Sequence, residues 1–163
     1  MREALEKILT EYSAESSKTF ANSALASYLS KEVPALFSSA AGEWASRMEF
    51  VGSCGKGRWA AIPWVAAFYA PVTTSATRGY YVVYLFDPKE SRCFLSLNQG
   101  TTSVVRDLGT KDGFEALSSR AALIRAKLPE FRERLRDHSL SLSSRLTLPR
   151  GYVSGHALGI EYR

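Results

Sequence analysis

Three cations stand where the chain could press against a phosphodiester backbone. Lys56 and Arg58 share the run G-S-C-G-K-G-R-W with Gly55 and Gly57, and Arg78 closes the hydroxyl-rich run T-T-S-A-T-R. Glycines allow left-handed backbone and close approach to a ligand. Thr73, Thr74, Ser75 and Thr77 add hydroxyl donors of the kind that contact phosphate. Aromatic side chains interleave with these groups: Trp59, Trp64, Tyr80, Tyr81 and, much later in the chain, Tyr152. An aromatic face can stack on a base, and a phenol hydroxyl can hydrogen-bond its edge. Trp64 and Tyr81 have a second reading, as core filling, and the residues by themselves leave both open.

Bond-making chemistry is harder to find. A hydrolase or transferase needs a nucleophile with a base, or clustered metal ligands. His138 and His156 stand in unrelated settings with no cysteine or acidic cluster at ligand spacing, and His138 is expected at a surface helix end. The Gly55–Gly57 run lacks the G-x-x-x-x-G-K-[ST] order and leads into an apolar strand, not a helix, which excludes a triphosphate loop. Asp87, Lys89 and Glu90 come from one turn, whereas a two-metal nuclease draws on convergent elements. No catalytic residue, metal ligand or cofactor is therefore expected in this domain.

The elements that must position these groups follow from periodicity. Leu5, Ile8, Leu9 and Tyr12 predict an amphipathic first helix; Leu25, Tyr28 and Leu29 repeat the spacing. Pro34 predicts the start of a third helix with Leu36, Phe37, Ala40 and Trp44 on one face. Residues 48–53 read as a strand. Residues 62–70 and 80–86 are near-continuous apolar runs that predict strands buried on both faces, and 93–97 answers the second of them as a hairpin. After Gly100 the pattern is helical: Asp112 and Glu115 form a capping box, Phe114, Leu117, Ala121, Ile124 and Leu128 a stripe, and Pro129 a kink ahead of Arg132, Arg134 and Arg136. The end reads as a glycine-punctuated loop, then a strand with His156, Leu158, Ile160 and Tyr162 on one side. The predicted architecture is α+β, a mostly antiparallel curved sheet with helices packed on it.

The 163 residues suit one domain able to bury a core unaided. Lys and Arg number 21 against 16 Asp and Glu, a formal +5 that favours a polyanionic partner. Two cysteines, Cys54 and Cys93, make no disulfide framework and fit a reducing compartment. No apolar run has membrane-spanning length and the N-terminus has no signal core, so a cytoplasmic protein without a membrane partner is expected.

The blocks G-K-G-R-W-A-A-I-P-W, T-T-S-A-T-R-G-Y-Y-V-V-Y-L-F, F-L-S-L-N-Q-G-T-T and R-G-Y-V-S-G-H-A-L-G-I-E-Y resemble, in order and spacing, the N-terminal DNA-binding domain of McrB-type, modification-dependent restriction systems. The likeness spans essentially the whole chain. It implies that residues 1–163 are one such domain, the N-terminal part of a longer protein, which reads a methylated cytosine in duplex DNA by flipping it into an aromatic pocket. It puts Trp64, Tyr81, Leu85 and Tyr152 at that pocket. Lys56, Gly57, Arg58, Trp59, Thr74, Ser75, Arg78, Ser154 and His156 are left as candidates for backbone contact or for the wedge that enters the vacated stack. The resemblance further implies an AAA+ GTPase motor and a nuclease on other domains or subunits.

Other classes stay in view. Aromatics beside cations also suit a single-stranded DNA or RNA reader indifferent to modification. A nuclease would betray itself by metal-dependent turnover, and Trp59 with the arginine-bearing helix could serve a protein interface.

Overall fold

A computed structural model describes residues 1–136 and 139–163. His138 lies outside the described residues. Five strands, β1 (Met48–Ser53), β2 (Trp64–Tyr69), β3 (Tyr80–Asp87), β4 (Arg92–Gln99) and β5 (Leu158–Tyr162), pair antiparallel in that order and do not close into a barrel. Successive side chains of a strand point to opposite faces, so each strand feeds two cores.

On one face Phe50, Val65, Phe86 and Cys93 meet the N-terminal helices. These are α1 (Arg2–Glu15), α2 (Ala24–Ser27), which runs through a π turn at Tyr28–Glu32, and α3 (Val33–Ala40). Ala4, Ile8 and Tyr12, at successive four-residue spacings, form the buried stripe of α1. On the other face Ala66, Phe68, Tyr81, Val83, Leu85 and Phe94 are covered by Leu140 and by Tyr152. Burying each of the Val, Leu and Phe side chains among these contributes roughly 1.5–3 kcal/mol. Tyr152 belongs to α6 (Thr147–Gly155), which packs with α4 (Thr101–Leu108) and α5 (Thr110–Lys127).

The α+β antiparallel architecture agrees with the sequence reading; several local expectations do not. Residues 147–155 form α6 where a loop was expected. Pro149 falls in the first turn, where its missing amide breaks no helical hydrogen bond. His156 follows that helix and precedes β5, so it is not a strand residue. The helix α5 starts at Thr110 behind Gly109 and no side chain caps it, so Asp112 and Glu115 lie within the helix and make no capping box. Trp44 falls beyond α3 in a 3-10 turn and is 52% exposed, and Leu36 also faces solvent; Val33 and Phe37 carry the buried side of α3 instead. The first half of β3 is covered on one face only. Tyr80 and Val82 are 38% and 37% exposed, because the N-terminal helices reach only as far as Tyr84 and Phe86 on that side.

Gly151 marks the contact between α6 and α4. A Cβ there would lie 2.1 Å from Cγ2 and 2.4 Å from Oγ1 of the buried Thr101. Gly151→Ala gains about 1 kcal/mol of helix propensity but forces the two helices apart, an overpacking cost of about 1–3 kcal/mol. A net destabilisation of about 1 kcal/mol is expected as a lower urea midpoint with unchanged m value. A raised midpoint would show that the contact yields freely.

Candidate nucleic-acid interface

The glycine loop at 54–60 is pinned at its neck and free at its tip. The Ala60 amide donates to the Cys54 carbonyl at 2.7 Å, and the Tyr12 hydroxyl of α1 lies 2.8 Å from the Ala60 carbonyl and 3.3 Å from that of Cys54. Trp59 turns inward: its ring meets Tyr12 and Phe20 edge-on, with centroids 5.2 and 5.1 Å apart, and its Nε1 donates to the Lys18 carbonyl at 3.0 Å. Lys56, Gly57 and Arg58 are exposed. Gly55 takes φ +115°, and a Cβ there would lie 2.0 Å from the Arg58 carbonyl oxygen, so the turn behind the tip requires glycine.

A second loop, 70–79, is held equally firmly. The buried Thr73 hydroxyl lies 2.9 Å from the Arg78 carbonyl and accepts the Ser75 amide. Ser103, in the first turn of α4, donates both its amide and its hydroxyl to the Thr77 carbonyl, at 3.0 and 2.9 Å. The Tyr81 hydroxyl, 3.1 Å from the Ala76 carbonyl, ties the loop to β3. Thr74 and Arg78 are exposed on this scaffold. Ser75, half-buried, spends its hydroxyl on Thr77 at 2.8 Å.

Between the two loops and α2 runs an open groove of about 900 Å³. Trp64, Phe68 and Val51 contribute apolar side chains from the sheet; Ser27 and Lys31 come from the helical side and Lys56 from the glycine loop. Among its described lining residues are two lysines and no carboxylate. Strand register sets Trp64 opposite Leu85, and Tyr81 packs edge-on against Phe68 at 5.4 Å.

The four residues expected to enclose a base therefore fall in one cluster on one sheet face, but not in one open hollow. Trp64 alone of them lines the groove. Tyr81 and Tyr152 are 4% exposed and Leu85 is fully buried. Burial also pushes the phenols of Tyr81 and Tyr152 well above the usual tyrosine range. His156 is buried, with its Nδ1 2.8 Å from the Ser96 hydroxyl, and Ser154 is half-buried on α6, away from the groove. Sequence reasoning missed Phe68, Lys31 and Ser27 of α2. Phe68 stood in a run read as buried on both faces, and Ser27 and Lys31 stood beside the Leu25, Tyr28 and Leu29 stripe, which was read for packing alone.

A strap, 139–146, closes the far side of the aromatic cluster. Leu140 and Leu142 pack onto it. Asp87, fully buried at the end of β3, accepts the Ser143 amide at 2.7 Å and the Ser143 hydroxyl at 2.5 Å, while Arg92 donates to the Ser141 carbonyl at 3.2 Å. Among the described residues no helix is long and apolar enough to cross a membrane, and no group of three or more His, Cys, Asp or Glu could hold a metal ion.

An α+β domain with a cationic groove between two pinned loops is the class these features define. A family model for the MrcB-like, N-terminal domain matches residues 7–163, and the chain belongs to that family. Membership supports a DNA-binding specificity module of a restriction system at the level of the family. No curated protein and no solved structure matches the chain.

The buried phenols carry a pH signature. Tyr84, beneath α3 and beside Tyr162, is pushed up to about 12, chiefly by burial. Folded-state values above the unfolded value of about 10 stabilise the fold fully below pH ~10, and that contribution is lost as pH rises toward the folded values. Stability is expected to fall steeply between pH ~10 and ~12, with tyrosinate absorbance at 295 nm rising together with loss of the fold. Titration of Tyr81, Tyr84 and Tyr152 near pH ~10 in a folded chain would contradict this.

Proposed function

We propose that this chain reads cytosine modification in duplex DNA. A methylated cytosine leaves the stack and is received over Trp64, with Tyr81, Leu85 and Tyr152 backing the site. The observation that carries the reading is the groove itself: an aromatic floor of Trp64 and Phe68, cations at its rim and no carboxylate among its described lining residues, on the face where those backing residues cluster. Extruding a base costs a few kcal/mol of stacking and pairing. Stacking on an aromatic side chain returns about 1–3 kcal/mol, and the remainder falls to phosphate contacts.

Lys56 and Arg58 share the exposed loop tip at the groove mouth, so they are the side chains to enter the vacated stack or neutralise the phosphates beside it. Trp59 is the poorer wedge, since using it would break its hydrogen bond to Lys18 and its packing on Tyr12 and Phe20. Thr74 and Arg78 extend the backbone contact from the second loop. His156, paired with Ser96 in the interior, acts by holding α6 to β4. The motor and nuclease that turn recognition into restriction are proposed to lie on other domains or subunits.

The test is binding to matched duplexes that differ only in cytosine methylation, at several salt concentrations, with 2-aminopurine at the target position reporting departure from the stack. The methylated duplex is expected to bind more tightly, and the probe to brighten. Trp64→Ala should abolish the preference, while Trp64→Phe, which keeps a stacking face, should retain part of it. Lys56→Ala should weaken both duplexes alike and lower the salt slope by about 1. Equal affinity of wild type for both duplexes would refute modification reading, and stronger binding to unpaired strands would favour a single-strand reader.

A further inference from the structure

A second concavity, of about 710 Å³, opens between the strap and α6. Arg92, Arg145 and Arg150 line it together with Ser144, Ser154 and Phe114. We infer that it is a second DNA-backbone site, seating phosphates of the same duplex whose base enters the groove. The inference rests on the proposed reading only insofar as the ligand is duplex DNA.

The geometry that joins the two sites is a cross-strand row. Trp64 pairs with Leu85 and Leu85 with Phe94, and all three lie on the second face of the sheet. The row thus begins at the floor of the groove and ends at Phe94, whose ring carries the Arg92 guanidinium 5.4 Å from its centre. Two strand spacings, about 10 Å, separate its ends. A duplex presents phosphates more densely than that, one charge per ~1.7 Å of axis, so a segment spanning this distance carries phosphates for both sites.

Charge availability selects the residues. Arg92 is offset by Asp87 at 3.8 Å and Glu161 at 3.9 Å, so it shapes the wall and holds Ser141. Arg145 and Arg150 are exposed and in no ion pair among the described residues; Arg150 is steadied over the Phe114 ring at 5.0 Å. A planar guanidinium braced on an aromatic face is preorganised for bidentate phosphate contact. Glu90, also in the wall, opposes the same ligand.

The experiment measures duplex affinity against salt for wild type, the double variant Arg145→Ala/Arg150→Ala, Glu90→Gln, and Arg2→Ala as a cation on α1, the helix that packs on the other face of the sheet. The double variant should bind methylated and unmethylated duplexes about tenfold more weakly, with the salt slope reduced by about 2, an unchanged methylation ratio and an unchanged 2-aminopurine signal at saturation. Glu90→Gln should bind more tightly, and Arg2→Ala as wild type. Circular dichroism of the variants guards against misfolding, and Arg145→Gln/Arg150→Gln, which keeps side-chain bulk, should reproduce the loss. Unchanged affinity and slope in a folded double variant would overturn this site while leaving methylation reading intact. A double variant that loses affinity and slope as expected, alongside a wild type that binds both duplexes equally, would overturn only the reading of the base.

Discussion

Two cores share one sheet, and that constraint governs the rest of the molecule. Because side chains alternate along β2 and β3, Val65 and Phe86 must face α1 to α3 whenever Trp64, Tyr81 and Leu85 face the other way. A register slip of one residue would exchange the two sets and lose both cores. The face that carries the groove is thus held in place by burial on the face that does not. Covering that second face only in part, with a strap and one side of α6, leaves a concavity rather than a third layer of structure.

Firm loops follow from the same economy. The neck of the glycine loop is fastened to Tyr12 and, through Trp59, to the Lys18 carbonyl, and the hydroxyl loop to Ser103 and Tyr81, so that the tips bearing Lys56, Arg58 and Arg78 project from anchored frames. Cations held this way lose less conformational entropy on binding than cations on slack loops. Much of the hydroxyl content that looks suited to phosphate is consumed in building the frame: Thr73 and Ser75 hold their own loop, and Thr74 is the exposed hydroxyl of the three. Interior Asp87 plays the matching part for the strap, receiving Ser143 where an unpaired buried carboxylate would be costly.

What could be read from the sequence was whatever periodicity or punctuation encodes. Five strands and the long helices came through because apolar spacing and glycine or proline breaks are local signals. The helix α6 did not, since Pro149, Gly151 and Gly155 resemble loop chemistry until two facts of packing are known. Pro149 occupies a first turn, and Gly151 is small because Thr101 presses against it. The capping box failed for a similar reason: Gly109 ends α4 and starts α5 directly, which draws the helix start ahead of Asp112. Gathering Trp64, Tyr81, Leu85 and Tyr152 on one face was legible through the family resemblance. Which of them reach solvent was not, because that depends on the strap and on Phe68, whose positions are set by distant contacts.

The energetics of the proposed reading assign different work to the two kinds of residue. A single methyl group brings about 0.8 kcal/mol when buried, a factor of about four in affinity, so contact with the methyl cannot by itself offset the extrusion of a base. Stacking over Trp64 closes part of that gap but is indifferent to modification. Affinity must therefore come from phosphates, through the exposed cations at the two concavities, and discrimination from how closely the aromatic floor fits the base edge. Separating these tasks has a physical advantage: cations read every duplex equally and let the domain search, while an indole fixed by strand register tests each base without having to be reordered at every trial.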